Sequence, residues 1–143
     1  MKLVIGKLFA EPEYQFNISH YVTLYIKDLL IKNIMDQNEL TAKDENVFLS
    51  LIITTNSKTT AIEVKGPSFN KKSGFINYGL WLPYEPIVKS ENYLQTFIEY
   101  LFDSLIILFS KYSVKEKDIK KIQKIAEKEI LNNPKYQYVD LNA

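Results

Sequence analysis

The chain offers few residues that could carry out catalytic chemistry. His20 is its only histidine, and it has no cysteine. A histidine at the start of a helix can act as a general base, because its ordinary pKa lies near neutrality. A serine–histidine–carboxylate site would have to use His20, but no G-x-S-x-G elbow accompanies it. We therefore favour a non-catalytic surface or half-buried residue, with a small hydrolase or transferase using His20 as the alternative.

Cofactor and metal chemistry have equally little support. The chain has 4 glycines, and their spacing matches neither a phosphate-binding loop nor a dinucleotide fingerprint. One polar connection, residues 36–46, is rich in carboxylates, but their spacing does not match a calcium-binding EF-hand loop. A solvated loop is the simpler interpretation. We predict no cofactor, no metal site and no enzymatic activity.

The charge pattern argues against nucleic acid as a partner. All 18 basic residues are lysines, 17 residues are acidic, and the net charge is +1. Arginine supplies the bidentate contacts to phosphates and base edges, and this chain has none. The last helix is lysine-rich, but the acidic residues interspersed in it reduce its net charge. We interpret that helix as a solvated surface, with contact to an acidic partner or nucleic acid as the alternative.

The hydrophobic pattern indicates one α+β domain spanning residues 1–143, with residues 134–143 as a loosely docked tail. The expected order is β-α-β-β-β-α-α: about four strands in a mostly antiparallel sheet and three helices, packed as two layers. Residues 47–55 and 59–65 are expected to form an antiparallel hairpin. The other predicted elements are an interior strand at 2–10, a helix from Asn17 to Asp36, a strand at 75–82, a buried helix at 90–112 capped by Ser90, and a helix that starts with the capping-box sequence Ser113–Glu116.

No apolar run in the sequence approaches the length needed to span a membrane, and the N-terminus reads as a strand rather than a signal peptide. We therefore expect a cytoplasmic protein that does not engage a membrane.

The strongest candidate for function is the corner where the third predicted strand meets the long helix. Aromatic side chains beside a proline-bounded turn suit a protein–protein anchor. Packing of Trp81 beneath a helix is the simpler interpretation. The residues expected to bind a partner are Trp81, Tyr84 and Glu85 at this corner, with Asn70, Lys71 and Lys72 as its rim.

The segment GPSFNKKSGFINYGLWLPYEPIVKSENYLQTFIEYL places a Gly-Pro pair before a strand that ends in Trp-Leu-Pro-Tyr and is followed by a helix. In this order of elements, residues 1–115 resemble a small α+β immunity-protein family from bacterial polymorphic-toxin and contact-dependent inhibition systems. The resemblance implies a non-enzymatic cytoplasmic protein that binds one cognate toxin and blocks its active site or access to its substrate. A generic interaction module, homodimeric through a sheet edge or the last helix, is the other alternative.

Overall fold

A computed structural model of the chain describes residues 2–5, 9–10, 18, 20–35, 48–70, 72 and 74–137. Its α+β architecture agrees with the sequence prediction: helices cover one face of a mixed sheet. The strands are β1 (Lys2–Ile5), β2 (Phe9–Ala10), β3 (Phe48–Asn56), β4 (Glu63–Asn70) and β5 (Phe75–Pro83). The helices are α1 (His20–Leu30), which continues as a π-helical segment (Ile31–Met35), then α2 (Tyr84–Val88), α3 (Tyr93–Ser110), α4 (Glu116–Asn132) and a final 3-10 turn (Pro134–Gln137).

The sheet is built around β3 and β5. The strand order is β1-β3-β5-β4, and β2 pairs with β3 beyond the end of β1. β1, β2 and β5 all run parallel to β3, whereas β4 runs antiparallel to β5. The expectation of a mostly antiparallel sheet is therefore wrong. The apolar residues on β3 suit its place as a central strand, with β1 and β2 on one side and β5 on the other.

The predicted hairpin between residues 47–55 and 59–65 does not form. β4 begins only at Glu63, and the intervening residues 57–62 carry the chain past β5 to the edge of the sheet. β4 then continues through Gly66 and Pro67, where its pairing with β5 shifts register between Lys65 and Ser68. The true hairpin joins β4 to β5.

The first strand also differs from its prediction. Residues 2–10 were expected to form an interior strand because apolar residues fall on both of its faces. Within the described residues, β1 and β2 are separate short strands whose strand partner is β3, so they form the edge opposite β4.

The long helix α3 is the core element that the sequence predicted. It carries an apolar stripe that is buried throughout: Leu94, Phe97, Ile98, Leu101, Leu105 and Leu108. α3 packs on β5 and β4, α1 packs on β1, and α4 packs against α3 and α1. The expectation that no segment is long and apolar enough to cross a membrane does not hold for α3. Within the described residues it is the one helix that meets this requirement by length and composition, with a mean hydropathy of 1.2, and half of it is buried inside the protein.

Both predicted helix caps need correction. Asn92, not Ser90, caps α3: its Oδ1 accepts a hydrogen bond from the Gln95 backbone N–H at 3.2 Å. Ser90 supports this turn by accepting the Thr96 hydroxyl proton at 2.7 Å. The Ser113 capping box is not formed, because Ser113 has φ 63° in the turn that ends α3. α4 starts at Glu116 after Lys115, whose side chain makes no capping hydrogen bond.

The first residues of the expected tail are packed against the helices. Tyr136 is buried, and its ring lies 5.7 Å from that of Tyr25 on α1. Residues 138–143 lie outside the described part of the chain.

Candidate functional site: the open face of the sheet

The two faces of the sheet have different surroundings. On β3, Leu49, Leu51 and Ile53 are buried beneath the helices, whereas Ile52 between them is 40% exposed. Side chains alternate between the faces of a strand, so the side chains next to Ile52 along the register share its solvent-facing surface. We call this surface the open face. Its described members are Phe48, Ser50, Ile52 and Thr54 on β3, Phe75, Asn77, Gly79 and Trp81 on β5, and Glu63, Lys65, Ser68 and Asn70 on β4.

Aromatic side chains lie at both ends of the open face. Phe48 and Phe75 are register partners, and their ring centroids are 5.1 Å apart with a tilt of 55°. Trp81 lies at the other end, opposite Thr54 on one side and Glu63 on the other. The middle of the face carries the uncharged residues Ser50, Ile52 and Asn77 on its two central strands. Such depletion of charge at the centre is typical of protein-binding surfaces.

Trp81 is held by residues on two strands. A Cβ built on Gly79 would lie 3.0 Å from the indole Nε1 and 3.3 Å from Cδ1, so the indole occupies the space that this glycine leaves. The Lys65 Nζ lies 3.7 Å from the centroid of the Trp81 ring, which is a cation–π contact. Glu63 holds the same ammonium at 3.6 Å. Trp81 is thus half-buried between Gly79 and Lys65 on a solvent-facing sheet.

The other predicted corner residues have different environments. Tyr84 is buried, and burial, followed by the nearby charge of Glu85, raises its pKa above the ordinary value. Its ring is therefore part of the core rather than of the surface. Glu85 is exposed and forms an ion pair with Lys89 at 3.0 Å, one helical turn away. Of the predicted corner, Trp81 and Glu85 face solvent and Tyr84 does not.

The predicted rim lies far from the corner. Asn70 pairs with Phe75 at the start of β5, whereas Trp81 is near its end. This separation is roughly 20 Å along the strand, at about 3.3 Å per residue. Asn70 Oδ1 accepts a hydrogen bond from the Lys72 backbone N–H at 3.1 Å within the β4–β5 turn, and Lys71 lies outside the described residues. The structure places Asn70 and Trp81 on the same face but does not bring them together.

The remaining chemical candidates lie mostly outside the side chains that the structure describes. His20 is the first residue of α1, but its side chain is not described, and neither are residues 36–47. Among the described residues, no group of three or more His, Cys, Asp or Glu side chains is placed to hold a metal ion.

Sequence reasoning missed Lys65 and Glu63 as neighbours of Trp81. The signal that could have located the indole is Gly79, two residues before Trp81 on the same face, because the indole fills the space beside this glycine. The alternating charges of Glu63 and Lys65 can be seen in the sequence. The predicted hairpin, however, paired this segment with β3 and so placed the two side chains beside β3 instead of β5.

No family model matches the chain, and neither a curated protein nor a solved structure matches it. The resemblance of residues 1–115 to immunity proteins, which rests most on residues 66–101, therefore stays a prediction.

Proposed function

We propose that this protein is a binding module rather than an enzyme, and that a protein partner docks on the open face around Trp81. The observation that carries this proposal is the placement of Trp81 between Gly79 and Lys65 on a solvent-facing sheet. Tryptophan is among the residues that dominate binding energy at protein interfaces. An anchor already held in one orientation loses less conformational entropy when a partner binds.

The charges around Trp81 favour a partner with an apolar contact surface. Lys65 is paired with Glu63, and Glu85 is paired with Lys89. These pairs leave the Trp81 end of the open face with little net charge, and Ile52 supplies an exposed apolar side chain on the neighbouring strand. Binding there should depend mainly on burial of Trp81 and Ile52, and only weakly on salt concentration.

The resemblance to immunity proteins suggests what the partner is. We propose a cognate bacterial toxin domain in the cytoplasm, which this protein neutralises by covering the toxin active site or the route to it. Such an inhibitor needs a stable scaffold and a complementary surface, and it needs no catalytic residues of its own.

The test is co-expression with each protein that is encoded next to this gene and arrests growth when expressed alone. We expect the wild-type protein to restore growth. The informative variant is Ile52→Glu, which places a charge in the middle of the open face. Its matched control is Ile125→Glu on α4, because Ile125 is 46% exposed and Ile52 is 40% exposed. Both variants must be soluble and keep the wild-type circular dichroism spectrum.

Loss of rescue in Ile52→Glu together with full rescue in Ile125→Glu would support the open face as the binding surface. Equal rescue by both variants would exclude it. Growth arrest despite soluble wild-type protein would refute the immunity function for that toxin.

A further inference from the structure

The exposed surface of α4 is a ridge of lysines. Lys117, Lys121, Lys124 and Lys128 are all exposed and follow the spacing i, i+4, i+7 and i+11. Each lies two residues from a member of the buried stripe Ile119, Ile122, Ala126 and Ile130, and two residues turn a helix by about 200°. The ridge therefore points directly away from the core. Its four Cα atoms span about 16 Å, at about 1.5 Å per residue.

The acidic residues of α4 flank this ridge rather than lie on it. Asp118, Glu127 and Glu129 are half-buried on the sides of the helix. Glu127 accepts a hydrogen bond from Gln123 at 2.8 Å, and Glu129 accepts one from Asn133 at 3.1 Å. The one exposed acid, Glu116, pairs with Lys120 at 3.7 Å. The acids offset part of the helix charge, as the sequence suggested, but they lie on the sides of α4, so the line of side chains pointing outward carries lysines.

Within the described residues, none of the four ridge lysines forms an ion pair. The three ion pairs found there join Lys65 to Glu63, Lys89 to Glu85 and Lys120 to Glu116. α4 packs against α1 and α3, which in turn pack on the sheet, so the ridge lies on the side of the protein opposite the open face. It is a separate surface from the one around Trp81.

We propose that the lysine ridge is a second docking surface, and that it binds an acidic protein surface with carboxylates at matching helical spacing. Four unpaired ammonium groups in a line give the charge complementarity that such a partner needs. The composition of the ridge favours carboxylates over nucleic acid, because it lacks both arginine forks and aromatic side chains on which bases stack. It also lacks the large apolar face of a helix that lies in a membrane surface.

The experiment uses the full chain and a fluorescent helical peptide that carries glutamates at i, i+4, i+7 and i+11. The same peptide with glutamines is the negative probe, and fluorescence anisotropy gives the dissociation constant. In the ridge variant, Lys117, Lys121, Lys124 and Lys128 are all changed to Gln, which keeps helix propensity. The control variant changes Lys27, Lys32, Lys58 and Lys72 to Gln, so the two variants have the same net charge.

We expect saturable binding of the glutamate peptide, a loss of roughly tenfold or more in the ridge variant and little change in the control variant. Affinity should fall when NaCl is raised from about 50 to about 200 mM. No saturable binding by the wild type, or equal losses in both variants, would overturn the proposal. Stronger ridge-dependent binding to single-stranded DNA or to phosphatidylserine vesicles than to the peptide would also overturn it. These results do not depend on the toxin, so the proposal for the ridge can be refuted while the proposed function stands.

Discussion

The contact between Lys65 and Trp81 gives a prediction whose size follows from the structure. Replacing Lys65 with Gln removes an ammonium group 3.7 Å from the indole centroid, at a site where half of the lysine side chain is exposed. A cation–π contact at an exposed site contributes about 0.5–1 kcal/mol. The ion pair with Glu63 is long and exposed, and pairs of that kind contribute about 0–1 kcal/mol. We expect Lys65→Gln to lower the free energy of unfolding by about 1 kcal/mol, or Tm by roughly 2–6 °C.

Lys89→Gln is the matched control. Lys89 also forms an ion pair with an exposed glutamate, Glu85, at 3.0 Å, but among the described residues its ammonium group does not lie over an aromatic ring. It measures the cost of losing a surface ion pair alone. Urea unfolding of Lys65→Gln, Trp81→Leu and the double variant gives the coupling between the two side chains, which we expect to be about 0.5–1 kcal/mol. Acrylamide quenching of Trp81, the only tryptophan, should also increase in Lys65→Gln. Equal costs for Lys65→Gln and Lys89→Gln, with coupling near zero, would refute the idea that Lys65 fixes the indole.

Three further predictions concern α3 and its surroundings. Leu101→Ala should lower the free energy of unfolding by about 2–5 kcal/mol, because this side chain is buried in the core; an unchanged urea midpoint would contradict the core assignment. Tyr112→Phe should cost about 0.5–1.5 kcal/mol by removing its hydrogen bond of 3.1 Å to Tyr78. Burial and that bond raise the Tyr112 pKa above 10.0 in the folded protein. The unfolded chain therefore loses this proton at a lower pH, and the free energy of unfolding falls as pH rises beyond 10.0. Tyr112→Phe should lose less of its free energy of unfolding over this pH range. Partial desolvation, followed by the charge of Glu99, raises the pKa of the exposed Asp103 carboxyl above 3.8. The folded protein therefore holds this proton more tightly, and its stabilising effect is lost as pH rises through the folded pKa. Asp103→Asn should raise Tm at pH 7 but not at pH 3, and a gain of the same size at both would contradict this.

The sequence predicted the elements better than their arrangement. The stripe on α3 and the stripe on α4 could be recognised because helix burial repeats with a local period that the sequence displays directly. Strand pairing is not local. A polar turn after β3 is compatible both with a hairpin and with a connection that crosses to the far edge, and only the packing of β5 against β3 decides between them.

The same limit applies to the candidate site. Trp81 could be selected from its type and from the prolines that follow it. Its contact with Lys65 depends on the antiparallel register of β4 and β5, which the misassigned hairpin had hidden. Asn70 and Lys72 were grouped with Trp81 because they are near it in sequence, but an intervening extended strand carries its two ends apart.

The edge strand β4 has a consequence for how the protein behaves at high concentration. An exposed strand edge is a template for pairing with another molecule, and Phe69, 69% exposed, adds an apolar side chain there. The register shift between Lys65 and Ser68 divides this edge, and Pro67 within it has no N–H to donate. Residues 63–65 and 68–70 are each shorter than a typical strand of about 5–6 residues. The interruption in β4 thus acts against chain-to-chain sheet growth, and filling it with a regular strand should promote aggregation.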